Sequence, residues 1–377
     1  MAKQRVLFFI YQMGAGGAAR TLLNIMNNLD RDRYEPVLVT LNYTGSYEHY
    51  IREDVIFRKV STTRLSRSVF QLAAIIKEEN ADLVFSTIPR VNTIATLAAK
   101  WAGVPNIVRE ADNLGGTFRE NLQLKGFGIV YRLANGVVSL SEGVKDNLVQ
   151  RYHLNRGKID VIYNPVDIKE IDKQRSEPLI PEERHLFVDG IPTCITAGRL
   201  VSQKDQRTML KALALVNEKR TVNLIILGEG ELLQELTEEA KALGIKDRVS
   251  FVGFQGNPYK WFSHADLFLL TSRHEGFSHV LAEALACEVR VVSTDCQSGP
   301  AEVLDHGKYG NLVPVGDSRS LADAIEALLQ QSPEEKERRI REGRERAVYF
   351  RAEDMVRRYE QVFEDTLRRS GKGGIRS

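Results

Sequence analysis

The sequence predicts an α/β protein made of two doubly wound, Rossmann-like domains. Three observations predict it. Short apolar runs alternate with amphipathic helical stretches along most of the chain. The runs are continuously apolar rather than alternating, as strands buried on both faces of a parallel sheet are. The alternation pauses once, after residue 162, where Asn164-Pro165-Val166-Asp167 is turn chemistry and the polar stretch to Pro192 carries Pro178 and Pro181. A chain of 377 residues suits two or three domains rather than one, and a hydrophobic content of 43% is enough for sizeable cores.

In order, strands are expected over 6–11, 36–41, 57–60, 83–86, 106–108, 136–140 and 159–162. Helices are expected between them over 18–29, 67–80, 92–102 and 142–151. After the pause a second series starts, with strands over 193–197, 222–227, 249–252, 267–270 and 289–293 and helices over 207–217 and 232–243. Charged helices follow over 320–330, 334–347 and 352–369, and the tail 371–377 has the composition of a disordered end. The domains are therefore placed at 1–165 and 190–350, with 166–189 as the linker. Two such sheets imply a cleft, and ligands bind beyond the carboxyl ends of their strands.

The net charge of +2 hides an asymmetry: residues 1–165 hold 21 Lys/Arg against 15 Asp/Glu, so the remainder is acidic. A basic half fits an anionic membrane or a phosphorylated acceptor, and it fits an ordinary surface equally well. No polybasic block or aromatic-interleaved stripe points to nucleic acid. Cys194, Cys287 and Cys296 lack any metal-site or disulfide spacing, which fits a reducing cytosol. No run approaches the ~18 apolar residues of a membrane span. The expected location is cytoplasmic, either soluble or peripheral on the inner face of the plasma membrane.

Four segments carry candidate chemistry. Gly14-Ala15-Gly16-Gly17-Ala18-Ala19-Arg20 follows the first strand and opens a helix, where backbone N–H groups can meet a phosphate; a ligand-free tight turn fits as well. Arg199 and Lys204, after the first strand of the second domain, are the two cations that a diphosphate leaving group needs. Gly228-Glu229-Gly230 follows another strand and reads as a structural turn, or as a turn under a nucleotide. Ser272 to Glu283 is the most specific segment: a strand ends, a glycine-containing loop follows, and a helix starts near Ser278. Glu275 then lies on the loop and Glu283 in the second helical turn, and a carboxylate can accept from vicinal hydroxyls of a sugar or ribose.

At these residues the chain resembles a known family. Glu275 and Glu283 are similar to the E-x7-E motif of the large GT-B retaining glycosyltransferase family often called family 4. Gly16-Gly17 resembles that family's N-terminal Gly-Gly loop, with Ala19 where an acidic residue is usual. Gly198-Arg199 to Lys204 resembles its phosphate-binding Arg and Lys, and Ser298–Glu302 with Gly310–Pro314 resembles the segment after the motif. The resemblance implies a GT-B fold with a C-terminal helix, 352–370, returning to the N-terminal domain. It implies a hexosyltransferase that takes a nucleotide sugar, UDP-sugar favoured, and needs no metal or other cofactor. Glu283 would hold the ribose, Glu275 the donor sugar, and Arg199 and Lys204 the diphosphate. Gly276, Phe277, Ser278, His279 and Val280 would meet sugar hydroxyls and diphosphate, with Gly16 and Gly17 closing from the other domain. Gly228 and Phe254 would border the nucleotide.

Many members place a histidine after a strand of the first domain, but Val108–Asn113 has none here. Arg109, Glu110, Asp112 and Asn113 are the acceptor-side candidates, each reading equally as a solvated loop residue. The acceptor implied by the bacterial resemblance is a glycan or a polyprenyl or other lipid-linked sugar in cell-surface glycan synthesis. Residues 118–134 interleave apolar side chains with Arg119, Lys125 and Arg132, which suits a membrane-surface helix and equally a core helix with a basic outer face. The mechanism implied is front-face, because Glu275 and Glu283 serve different ends of the donor rather than acting as the carboxylate pair of a retaining hydrolase. The alternatives are a nucleotide-sugar epimerase on the same fold and a non-catalytic partner that kept it.

Overall fold

A computed structural model describes residues 3–14, 16–111 and 128–371. The chain forms two compact units, 1–165 with 352–377, and 166–351. Asp112, Asn113, most of the 118–134 segment and the tail from 372 lie outside the described residues.

The first unit carries β1 (Gln4–Ile10), α1 (Gly17–Asn28), β2 (Tyr34–Thr40), β3 (Ile56–Lys59), α2 (Val69–Glu78), β4 (Leu83–Thr87) and α3 (Pro89–Ala102). It continues with β5 (Asn106–Glu110), α4 (128–133), β6 (Gly136–Ser139), α5 (Glu142–Tyr152) and β7 (Ile159–Val161). Its seven strands lie in the order β3-β2-β1-β4-β5-β6-β7, all neighbours parallel. The runs Val6–Ile10 and Leu83–Thr87 are buried throughout because helices cover both sheet faces. The order reverses between β1 and β4, which is the topological switch point.

The second unit begins with α6 (Ile168–Arg175) and α7 (Pro181–Arg184). It continues through β8 (Thr193–Ala197), α8 (Gln206–Asn217), β9 (Asn223–Leu227), α9 (Leu233–Ala242), β10 (Val249–Gly253), α10 (Tyr259–Phe262), β11 (Leu267–Leu270) and α11 (His279–Ala286). It ends with β12 (Arg290–Thr294), α12 (Pro300–Val303), β13 (Asn311–Val313), α13 (Ser318–Leu329) and α14 (Pro333–Tyr349). The strand order is β10-β9-β8-β11-β12-β13, again all parallel, with its switch point between β8 and β11.

Residues 166–189, expected as a linker, instead belong to the second unit. The side chain of Asp167 caps α6, accepting from Glu170 N at 3.1 Å, and ion pairs from Asp172 to Arg344 (2.6 Å) and from Arg175 to Glu288 (2.8 Å) hold that helix on its unit. The polar composition of this stretch reflects a partly exposed helix, not an absence of structure.

The last helix, α15 (Ala352–Arg369), returns to the first unit. Its face Met355, Val356, Tyr359, Val362, Phe363 and Leu367 joins the core built by Phe8, Leu38 and Phe85. Phe363 meets Phe8, Tyr34 and Phe85 at ring-centroid distances of 6.4, 6.0 and 5.8 Å, all edge-on. Phe363→Ala is expected to destabilise the first unit by about 3–5 kcal/mol. In a Trp101→Phe background, urea unfolding should show that loss by circular dichroism while the transition followed by fluorescence of Trp261, the tryptophan of the second unit, stays in place.

Candidate active site

The loops after β8 and β11 meet at the switch point of the second sheet. Lys204 Nζ lies 2.6 Å from Glu275 Oε1, and Ser272 Oγ donates to the same oxygen at 2.6 Å. Hydrogen bonds to backbone carbonyls hold the two loops in register. Arg273 N donates to Gln203 O at 2.8 Å, Gln203 Nε2 to His274 O at 2.9 Å, and Thr271 Oγ1 to Lys204 O at 2.9 Å. Asp205, buried and in the left-handed region (φ 46°), accepts from Thr208 Oγ1 at 3.0 Å and pairs with Arg273 at 3.2 Å. Thr294 Oγ1, at the end of β12, donates to Ser272 O at 2.6 Å and so fixes the residue that orients Glu275.

The helix that follows starts in an unusual way. Ser278, its N-cap, sits at φ 67° and ψ 62°, and its side chain makes no cap hydrogen bond. The Ser278 hydroxyl is buried without a hydrogen-bond partner among the described residues. The left-handed cap turns the chain sharply into α11, whose first N–H groups have no acceptor within the helix. Phe277 is buried against Phe350 at 5.1 Å, and a Cβ at Gly299 (φ 83°) would sit 3.0 Å from the Phe277 backbone, so the loop after β12 packs directly under the cap. Glu283 is 8% exposed; its Oε1 accepts from Tyr259 OH at 2.7 Å and lies 3.5 Å from His279 Nε2.

The other candidates of this unit have distinct settings. Arg199 is exposed, with no ion pair among the described residues. Gly276 and Val280 are half-buried, and Phe254 is exposed just after β10. Gly228 (φ 133°) is required by packing, since a Cβ there would run into the Gly198 carbonyl and one at Gly230 into that of Leu200. The Gly228-Glu229-Gly230 turn thus seats the β8 loop, with Leu200 N donating to Glu229 O at 2.8 Å and Gly228 N to Gly253 O at 2.7 Å.

The first unit has its own opening at its own switch point. A cavity of about 1040 Å³ lies beyond β1 and β4, lined by Tyr11, Gly14, Gly16, Ile88, Arg90 and Ile94 among others. Gly16 is extended (φ −178°), and a Cβ on Gly16 or Gly17 would meet nothing within 4 Å. These glycines are not demanded by the backbone; they keep the N-terminus of α1 open.

Arg109 and Glu110 do not lie on a solvated loop. They are the last residues of β5, 1% and 0% exposed. The Arg109 guanidinium donates to Tyr359 OH (2.9 Å), Thr87 Oγ1 (3.3 Å) and Asn164 Oδ1. Asn164 Oδ1 also accepts from Thr21 Oγ1 at 3.1 Å, and Thr21 donates to Gly17 O at 2.8 Å as well. Arg109 is thus bonded through Asn164 to the first turn of α1. Glu110 accepts from Tyr131 OH, and burial with the nearby carboxylate holds that phenol well above its ordinary value. A run of apolar residues continuing into Arg-Glu looks like a strand leaving the core, and nothing in the sequence marks these two as buried.

Ser272, Thr294, Tyr259 and Asp205 support the site without having been assigned a role from sequence, because their contacts join different loops. Among the described residues no three His, Cys, Asp or Glu side chains are grouped to hold a metal.

Two outcomes follow from this packing. Lys204→Met strands the Glu275 carboxylate and should cost about 3 kcal/mol in urea unfolding, with most of it recovered in Lys204→Met/Glu275→Gln. The three cysteines are buried, and burial pushes the Cys296 thiol up to about 12 and those of Cys194 and Cys287 up as well. Iodoacetamide should therefore leave the native protein unmodified at pH 8 and alkylate all three after unfolding. The raised values add stability only below the ordinary thiol value of about 9, and that contribution is lost as pH climbs from there through 12.

A model described as Glycosyltransferase Family 4 matches residues 15–170, and one described as Glycosyl transferases group 1 matches 181–346. The chain is 27% identical over 348 residues to the N-acetylgalactosamine-N,N'-diacetylbacillosaminyl-diphospho-undecaprenol 4-alpha-N-acetylgalactosaminyltransferase of Campylobacter jejuni, covering 87% of this chain and 90% of that one. It is 33% identical over 219 residues to the N-acetyl-alpha-D-glucosaminyl L-malate synthase of Bacillus anthracis, covering 58% and 56%. Among solved structures, Anabaena HepE in complex with UDP-glucose superposes with a TM-score of 0.82 at 22% identity, covering 96% of this chain and 99% of that one. The chain is a glycosyltransferase of the GT-B fold, its N-terminal part similar to the Family 4 model and its C-terminal part to the group 1 model.

Proposed function

We propose that the chain is a retaining, metal-independent hexosyltransferase that moves a hexose or N-acetylhexosamine from a UDP-sugar to a glycan or lipid-linked acceptor, at the cytoplasmic face of the membrane. The observation that carries the reading is the meeting of the β8 and β11 loops at the switch point, where Lys204, Glu275 and the N-terminus of α11 share one small volume. The Campylobacter relative's name specifies a diphospho-undecaprenol-linked acceptor and an α product, and the Anabaena structure holds UDP-glucose. Both support the chosen donor and acceptor classes.

In this reading the donor diphosphate lies against Arg199 and Lys204, and the α11 N-terminus adds backbone N–H groups. Lys204 is already held by Glu275, so its charge is in place before the reaction and no reorganisation is needed when charge develops. The C1–oxygen bond to the diphosphate breaks while the acceptor oxygen bonds to C1 from the same face. The acceptor proton passes to the leaving phosphate oxygen. Arg199 and Lys204 stabilise the negative charge left there. Glu275 orients the sugar hydroxyls. Glu283 keeps Oε1 on Tyr259 and offers Oε2 to the ribose. Gly276 to Val280 complete the donor contacts of the second unit, with Gly228 and Phe254 beside the nucleotide.

A donor screen should release UDP from UDP-sugars and leave GDP-sugars unused, and NMR of the product should show the donor's anomeric configuration kept. Chelator should leave the rate unchanged. Glu283→Ala should raise donor KM about 10–100-fold, the worth of charged hydrogen bonds, while Lys204→Ala should lower kcat about 100-fold or more. An inverted product, or a glycosyl adduct trapped on Glu275, would refute the mechanism.

A further inference from the structure

We infer that Arg346, on α14, is a positioning residue: it holds Phe277, and through Phe277 the left-handed cap at Ser278 that presents the N-terminus of α11. The use of that N-terminus by the donor rests on the reading proposed above, whereas the hold on the cap rests on the packing alone.

The cap needs a hold. Ser278 is a non-glycine residue at φ 67°, and its side chain makes no cap hydrogen bond. A side chain is disfavoured in the left-handed region, and such a backbone persists only where its surroundings fix it. At its other end α11 is pinned by α14. The Arg344 guanidinium donates to Ala286 O, and a Cβ on Gly343 would stand 3.0 Å from Leu285. The freedom left to α11 is therefore in its first turn.

Two routes lead from Arg346 to Phe277. One runs through backbone. The guanidinium forks onto the end of α12, with Nε donating to Val303 O at 2.8 Å and Nη2 to Glu302 O at 2.5 Å, carbonyls of the kind a helix end leaves unpaired. Just before α12, a Cβ on Gly299 would sit 3.0 Å from the Phe277 backbone, so α12 is pressed against the residue before the cap. The other route runs through rings. The guanidinium carbon lies 4.8 Å from the ring centroids of Phe350 and Tyr349 and 5.5 Å from that of Tyr309. Phe350 in turn meets Phe277 edge-on at 5.1 Å. Phe350 is fully buried and its carbonyl accepts from Val166 N at 2.8 Å, so its ring cannot back away. A planar guanidinium can stack on rings and fork onto carbonyls at once, which the ammonium of a lysine cannot.

Hydrogen exchange on the full chain tests the hold without any donor. In Arg346→Met, exchange over residues 277–283, where Leu281 N donates to Ser278 O at 3.0 Å, should speed up about 10-fold, the worth of a charged hydrogen bond. Exchange over β11 should keep its wild-type rate. Glycine adopts the cap's backbone freely, so in a Ser278→Gly background Arg346→Met should speed that exchange by less than about 2-fold. Arg346→Lys keeps the charge and loses the fork; it should give an intermediate rate, and it carries the test if the methionine variant does not fold. In transfer from a UDP-sugar, Arg346→Met should lower kcat/KM for the donor about 10–100-fold, and Ser278→Gly should shrink that penalty as well. Equal acceleration over 277–283 and β11, or an acceleration that Ser278→Gly leaves undiminished, would overturn the inference. A loosened cap with an unchanged kcat/KM for the donor would refute the donor reading of α11 and leave the hold on the cap standing.

Discussion

Every neighbouring strand pair in both sheets is parallel, and parallel pairing makes the chain leave each strand at one edge and cross back before the next begins. Two consequences reach the chemistry. The connections bury both faces of each sheet, so strands such as Phe8–Ile10 and Leu267–Leu270 can be apolar throughout. And all strand ends of one kind gather on one edge, where residues far apart in sequence become neighbours. Lys204 and Glu275 are 71 residues apart and 2.6 Å apart for that reason.

The two units stiffen that edge by different means. In the second, an ion pair between loops is backed by hydroxyls: Ser272 on Glu275, Thr294 on Ser272, and Tyr259 on Glu283. In the first, a buried guanidinium does the work with neutral partners. Among the described residues no carboxylate bonds to Arg109; a phenol, a hydroxyl and an amide receive it. Leaving such a donor unmet in the interior costs far more than the bond gains, so the partners are held firmly in place. Tyr359 reaches it from α15 and Asn164 from the end of the β-series, which ties distant segments to the turn beside Gly17.

Much of this was legible in the residues. Unbroken apolar runs such as Val6–Ile10 announce their strands, and the Gly-Phe-Ser turn between Glu275 and Glu283 marks a strand-to-helix loop. Three features were not. The segment 166–189 reads as a linker because a helix lying on the surface, as α6 does, need show only one apolar side, here Ile171. β13 is three residues long, too short for any periodicity to register. Arg109 and Glu110 read equally as acceptor-side or solvated loop residues, and not as buried ones, because burial of a charge depends on partners such as Tyr131, Asn164 and Tyr359, which no local pattern brings to them. What local sequence encodes is an element's type. What it omits is which distant groups arrive at that element's end.

The return of α15 has a consequence in time. The second unit is one unbroken stretch, 166–351, whereas the first lacks Tyr359, Phe363 and their neighbours until residues 352–369 exist. During synthesis the later half of the sequence therefore has everything it needs to fold before the earlier half does. The N-terminal sheet waits, with Phe8 and Phe85 uncovered, while nearly two hundred residues are added behind it. Order of synthesis and order of completion run in opposite directions, and the earlier half is the one that needs protection from aggregation meanwhile.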